Sequence, residues 1–300
     1  MVDGLNSPNI HTPKNLSEYG NIMLHNSSTS FWAGGTYIMT RPDVYPSRAT
    51  GTDNIIYLGE IEELHRFQRN DRVAEFGSMV PLYQMVTSGK GVIPKILVRN
   101  IESIGCSLIT RRATLGGAIC TPDLVTSIPG TLIALSSNLE MKIVKKKRLH
   151  SRWTPISRLV DKNGRIQLPA RALVSRVRIS INQPSFQRFF CSRDFMSKPD
   201  EAVAIAFVGD WEQDIIQNAK LVITLPRKGI CFSRDIDNIF TTLRFPLEDS
   251  DYDSLYNVLF SFIGSSFPVT PLQKAMIKSF VGTVVEELNR KALTMPILEN

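Results

Sequence analysis

The residues in this 300-residue chain best suited to chemistry are two glycine doublets, and the chemistry they suit is done by backbone. Gly34-Gly35 lies in "FWAGGTYIM", Phe31 to Met39, and Gly116-Gly117 in "RRATLGGAICTPDLV", Arg111 to Val125. Each pair stands near a Thr and between apolar residues. Lacking a Cβ, glycine lets the chain turn through positive φ or approach a neighbouring group closely. Successive N–H groups bared in this way can surround a phosphate. Two such doublets point to a diphosphate clamp, with plain tight turns as the alternative for each. Neither is a GxGxxG or a GxxxxGK followed by Ser or Thr, which disfavours a dinucleotide-binding Rossmann unit and a P-loop.

Other chemistry finds little support. His11, His25, His65 and His150 are scattered, and Cys106, Cys120, Cys191 and Cys231 form no CxxC pair, so no metal site is expected. No nucleophile elbow with a Ser-His-Asp order is present, and no catalytic side chain is assigned. Cys120, in "CTPDL", reads as a buried cysteine. The formal charge is +7, concentrated in "KKKRLHSRW", Lys145 to Trp153. No aromatic residues interleave with those cations, so the run reads as a solvated connection after a strand, facing an acidic partner, and not as a nucleic-acid site. No apolar run approaches the roughly 20 residues of a membrane span. The start of the chain has no signal-peptide pattern. Reduced cysteines in a cytoplasmic protein are the expectation.

The elements that must position the doublets follow from periodicity. The length suits two domains, and the hydrophobic fraction of 43% is that of a globular chain. "NIIYL" (Asn54 to Leu58) reads as a strand. "RVAEFGSMVPLYQMV" reads as strand, turn and a short helix from Pro81, well placed at a helix start. "IPGTLIALSS" reads as a helix. In "LEMKIV", Leu139, Met141 and Ile143 alternate against Glu140 and Lys142, the pattern of a half-buried strand. In "LVSRVRISI", Leu173, Ser175, Val177, Ile179 and Ile181 are expected on one face, with Arg176 and Arg178 on the other. A composition break at Asn182 to Gln187 marks the expected boundary between domains 1–182 and 183–300. Beyond it, "EAVAIAFVG" and "AKLVITLP" read as antiparallel strands joined by the polar "DWEQDIIQN". "DYDSLYNVLFSFIG" reads as a helix ended by Gly264. The last helix has Thr270 as cap, Pro271 at its first position, and Leu272, Met276, Phe280, Val284 and Leu288 at every fourth residue. Strands followed by segregated helices argue for α+β.

The same segments carry a resemblance. "AGGT" (Ala33 to Thr36) resembles the first pyrophosphate loop of the FAD-binding medium subunit of the molybdenum hydroxylases, the group of xanthine dehydrogenase, carbon monoxide dehydrogenase and quinoline oxidoreductase. "ATLGG" (Ala113 to Gly117) resembles its second loop, usually ATIGG followed by Asn. "IIYLGEIEEL", "AEFGSMVPLYQM", "AICTPDLVTSIPGTLIALSSNLEM", "QLPARALVSRVRI" and "FFCSRD" continue the likeness in order, from about Pro13 to Leu293. It implies an α+β fold: a two-lobed PCMH-type FAD-binding domain, then a smaller α+β domain of antiparallel sheet and helices. It implies FAD extended between the lobes, with Ala33, Gly34, Gly35, Thr36 and Tyr37 on one side of the pyrophosphate. Thr114, Leu115, Gly116, Gly117 and Ala118 would stand on the other. Ser127 would reach a ribose or ribityl hydroxyl, and Leu168 would pack against the flavin ring. The implied function is relay of electrons from iron–sulfur clusters to a terminal acceptor, NAD or another. The implied partners are a molybdopterin-binding large subunit and a 2Fe–2S small subunit.

The chain departs from the family pattern in places. Ala118 replaces its Asn, Ser127 its Asp, Tyr37 an Asp that often follows AGGT, and Phe189 and Asp194 its Lys and a following basic residue. Two other readings therefore stand beside the first: a scaffold subunit that has lost flavin, and a standalone flavin oxidoreductase.

Overall fold

The computed structural model describes residues 8–26, 29–40, 54–89, 91–146, 148–193, 195–212 and 214–294. Lys147 of the basic run and Asp194 lie outside them. The first lobe holds β1 (Asn9–His11), α1 (Leu16–His25), β2 (Thr29–Trp32) and β3 (Asn54–Tyr57). Its parallel sheet has the order β1-β3-β2. Asn15 caps α1 by accepting from the Glu18 amide at 2.9 Å. Tyr19, Met23, Ile56, Leu58, Ile61 and Leu64 form the core of this lobe.

The second lobe contains β4 (Phe67–Arg69), β5 (Val73–Gly77), α2 (Leu82–Ser88), α3 (Lys95–Glu102), α4 (Ser107–Arg112), α5 (Leu115–Cys120) and α6 (Ile128–Ala134). It continues through β6 (Asn138–Lys145), β7 (Arg148–Pro155) and β8 (Ala172–Ser180). The sheet order is β4-β5-β8-β6-β7, with antiparallel neighbours. The expected alternation of β8 breaks at a register shift, where Glu140 faces Arg176 and Met141 faces Val174. Ser175 is the extra residue of a bulge. As a result Val174, Val177 and Ile179 join the helix-covered core, while Leu173 points to the first lobe.

The remaining chain forms β9 (Phe186–Cys191), β10 (Ala204–Glu212), β11 (Ile215–Leu225), β12 (Gly229–Cys231), α7 (Arg234–Thr242), α8 (Asp249–Ser266) and α9 (Pro271–Thr294). Its antiparallel sheet, β12-β11-β10-β9, is covered on both faces. Ala206, Val208, Val222 and Ile230 pack into the second-lobe core, and Ile205, Phe207, Leu221 and Ile223 pack under the C-terminal helices. That double burial explains the unbroken apolar run in "EAVAIAFV". Three expectations are corrected here. Most of "DWEQDIIQN" belongs to the two strands rather than to a connection, and α8 runs through Gly264 to Ser266. The core stripe of α9 is Gln273, Ile277, Val281, Val284 and Leu288, with Leu272 about half exposed. Thr270 does cap α9, accepting from the Gln273 amide at 3.2 Å.

Glu140 was expected on the solvated face of β6, yet it is 2% exposed. Arg176 donates to it through Nε at 2.7 Å, Lys142 at 2.8 Å, Ser151 at 2.5 Å and Ser175 at 2.7 Å. Burial pushes its carboxyl up. The hydrogen bonds from Arg176, Lys142, Ser151 and Ser175 together outweigh that and hold it well below the usual carboxylate range. Arg176 also reaches Glu75 at 2.7 Å, and Glu75 holds Arg178 at 2.6 Å. Arg178 lies over the Trp153 ring at 3.9 Å. A carboxyl depressed in the fold stabilises it above its unfolded value and ceases to do so as pH falls through the folded one. Glu140→Gln is therefore expected to cost about 2 kcal/mol at neutral pH, the partial exposure of Arg176 reducing the full penalty of an unpaired charge. The gap between variant and parent in urea unfolding should narrow as pH drops below about 4.

Candidate functional site

The first doublet follows β2, whose Trp32 pairs with Tyr57 of β3. The chain then leaves the sheet. Gly35 turns through φ 76°, with the Trp32 indole against it. A 3-10 turn over Ile38–Thr40 follows, with the Met39 amide donating to the Gly35 carbonyl at 3.0 Å. A Cβ built on Gly34 would lie 1.8 Å from the carbonyl oxygen of Arg112. No other residue type allows that approach, and it sets the first loop directly on the last turn of α4. Among the described residues, the amides of Gly34, Gly35 and Thr36 meet no protein acceptor. Three neighbouring donors on a half-buried loop make a cradle suited to an anionic group.

The second doublet is built differently. Thr114 caps α5, its hydroxyl oxygen accepting from the Gly117 amide at 3.2 Å. The Leu115 amide donates to Val80 at 3.0 Å and the Gly116 amide to Ser78 at 2.7 Å. A Cβ on Gly116 would come within 2.7 Å of the Ser78 Cβ. These amides are occupied inside the protein, so the free donors belong to the first loop. Gly117 remains half-exposed, and a Cβ there would meet only the Thr114 hydroxyl within 4 Å.

A side-chain bond also ties the loops. The Tyr37 hydroxyl donates to Asp123 Oδ2 at 2.5 Å across 86 residues of sequence. Asp123, which sequence reasoning missed, is held in turn by the β11–β12 turn: the Arg227 amide donates to its carbonyl at 2.9 Å. This turn and β12 grip the segment that leads to Leu168, through Arg165 Nη2 to the Arg227 carbonyl at 3.3 Å and Ile230 N–H to the Gly164 carbonyl at 2.8 Å. Nothing in the local sequence around Asp123 signals this; the acceptor and its donors come from distant segments.

The other expected site residues fall in different settings. Leu168 is half-buried against the second-lobe core. Leu115 and Ala118 are core residues. Ser127 is 2% exposed and donates to Asn100 Oδ1 at 2.8 Å, while Asn100 donates to Thr131 at 2.5 Å. Its hydroxyl is taken up within the protein, and no contact to a ribityl chain is assigned to it. Arg111 lies over the Tyr83 ring at 3.9 Å. Cys120 exposes residue surface, while burial around its thiol pushes that group up to about 12, so the buried reading holds for the sulfur; all four cysteines are free. Among the described residues no group of His, Cys, Asp and Glu is arranged to hold a metal.

Residues 6–180 match the family profile described as the FAD binding domain in molybdopterin dehydrogenase. Among solved structures, the chain is similar to quinoline 2-oxidoreductase from Pseudomonas putida 86, at 15% identity and TM-score 0.74, covering 97% of this chain and 99% of that one. It is similar to carbon monoxide dehydrogenase from Hydrogenophaga pseudoflava, at 14% identity and TM-score 0.75, covering 95% and 97%. Carbon monoxide dehydrogenase from Oligotropha carboxidovorans gives 14% identity and TM-score 0.75, covering 97% and 100%. These likenesses establish the fold, a two-lobed PCMH-type domain followed by a smaller α+β domain. No curated protein sequence matches the chain.

The loop contacts make a graded prediction. Gly34→Ala should destabilise the protein by about 1–3 kcal/mol, because the loop must move off the Arg112 carbonyl. Tyr37→Phe should cost about 1 kcal/mol, the worth of one hydrogen bond. Gly117→Ala should change little. Thermal melting of the three variants checks the order.

Proposed function

The chain belongs to the family of FAD-binding domains in molybdopterin dehydrogenases, and from that premise we propose that it is the flavin-carrying electron-relay component of a multisubunit oxidoreductase. FAD is the cofactor of this family. Bound here, it would supply the redox chemistry; the protein supplies placement and electrostatics. The observation that carries the assignment is the cradle of free amides at Gly34, Gly35 and Thr36, set against the second loop by Gly34 and by the Tyr37–Asp123 bond. These amides would donate to the pyrophosphate. Gly117 would let the cofactor's backbone pass close to the start of α5, and Ala33 and Thr114 would flank it. Leu168 would present an apolar surface to the ring. Tyr37 and Asp123 would hold the two loops at a fixed separation without touching the phosphates.

The partners we propose are a chain carrying molybdopterin and a chain carrying 2Fe–2S clusters. Motivating this, the chain itself shows no metal-ligand cluster among its described residues, and proteins of similar fold include carbon monoxide dehydrogenase, a molybdenum-cofactor enzyme. The division into domains 1–182 and 183–300 is proposed from the end of the family match at residue 180 and the start of β9 at Phe186. Among the described residues no helix is long and apolar enough to cross a membrane. Four free cysteines accord with a reducing compartment, and a cytoplasmic location is proposed.

The purified protein should show the absorbance of a bound flavin, or acquire it on addition of FAD with a dissociation constant of about 1 μM or tighter. Gly35→Ala, which strains a residue at positive φ inside the cradle, should weaken binding by about tenfold or more. A protein that stays colourless in excess FAD would overturn the assignment. Co-purification with molybdopterin-containing and cluster-containing chains tests the proposed relay.

A further inference from the structure

The basic run singled out in the sequence takes no part in the cradle, and its placement is specific. Lys145 and Lys146 stand at the turn between β6 and β7, and Arg148, His150 and Arg152 alternate along β7. All five are exposed. Alternate residues of a strand share a face and lie about 6.6 Å apart, so Arg148, His150 and Arg152 form a row. Their partners across the ladder are Lys145, Ile143 and Met141, which puts Lys145 on the same face. Arg171, also exposed, precedes β8 where Ala172 pairs with Ile143, and so adds a cation at this end of the sheet. Among the described residues, no carboxylate lies within ion-pair distance of Lys145, Lys146, Arg148, Arg152 or Arg171. The nearby acids are already committed, Glu140 and Glu75 to Lys142, Arg176 and Arg178.

Among the described residues, β7 is also the edge of its sheet, paired only with β6. An edge strand presents a regular row of backbone donors and acceptors to whatever lies beside it. We propose that this edge docks an acidic, extended segment of a partner protein, added antiparallel or parallel as a sixth strand. Its alternate carboxylates would meet Arg148, Arg152 and the lysines of the turn. The backbone row matches the repeat of another polypeptide, and the two-residue spacing of the cations matches acids on one face of a strand. Nucleic acid fits less well. Trp153 of β7 points to the opposite face and is covered by Arg178, which leaves the small ring of His150 as the one ring in the cation row, short of a stacking platform.

The test uses the full-length, flavin-loaded protein and three labelled probes: a peptide in which Glu alternates with Thr and Val, a peptide of the same composition with its Glu residues in one block, and single-stranded oligothymidine. The alternating peptide is expected to bind more tightly than the block peptide by at least about tenfold, since only it satisfies charges and ladder together. The double variant Arg148→Glu, Arg152→Glu should abolish that preference while leaving flavin absorbance and the melting temperature unchanged. Cations on an edge can also serve merely to keep other strands away. In that case neither peptide binds, and the proposal fails. Equal binding of the two peptides, or tighter binding of oligothymidine, overturns it as well.

Discussion

The carbonyl oxygen of Arg112 stands where the side chain of any residue other than glycine at position 34 would have to be. The two halves of the candidate site meet at this point. The first loop leaves the parallel sheet of one lobe, and the second enters α5 of the other. With Gly34 seated on α4, the amides of Gly34, Gly35 and Thr36 are held without acceptors among the described residues. A loop free to collapse would satisfy them internally, because unpaired backbone donors away from water are costly. Holding them open needs a rigid neighbour, and the last turn of α4 is that neighbour. The Tyr37–Asp123 bond adds a second tie, and the Arg227 turn of the C-terminal sheet fixes Asp123 in its turn.

Two glycine pairs of similar appearance thus do different physical work. In the first, glycine permits contact between lobes and positive φ, and leaves donors bare. In the second, Gly116 makes room for Ser78, and its amide and that of Gly117 are satisfied locally. The residues that follow, Ala118 and Ser127, belong to the core and to a buried polar cluster with Asn100 and Thr131. In the proposed complex, side-chain anchoring of the cofactor would be correspondingly reduced on this side, and backbone donors from the first loop would carry the larger share.

The C-terminal sheet has a structural part in this arrangement beyond its own fold. One face is covered by α3 and α6 of the second lobe and the other by α7, α8 and α9. Because neither face is free, the β11–β12 turn is held firmly enough to act as a fixed point for Asp123 and for the segment before Leu168. On the far side of the second lobe, the ion cluster around Glu140 ties β6 to β8, and through Ser151 to β7, and commits Glu140 and Glu75 to partners other than the basic edge.

The sequence by itself determined the two glycine loops, their order, and several elements farther along the chain, but not β2, α4 and α5, the short elements that adjoin the doublets. Asn54–Tyr57, the helix after Pro81, and the Thr270–Pro271 start of α9 all follow from short-range rules that need no knowledge of the fold. It also determined the family, because motif order survives where overall identity to the solved structures is near 15%. Only the tertiary structure decided which amides are free, since the acceptors that occupy the second loop come from Ser78 and Val80 across a turn of another strand. It likewise decided that Glu140 is buried and that the first half of the α9 stripe lies one residue beyond Leu272, Met276 and Phe280, while Val284 and Leu288 stand where periodicity places them. Periodicity records which residues can share a face. Which face is covered, and which donor finds an acceptor, depends on segments brought together from up to a hundred residues away, as Arg176 and Glu75 are.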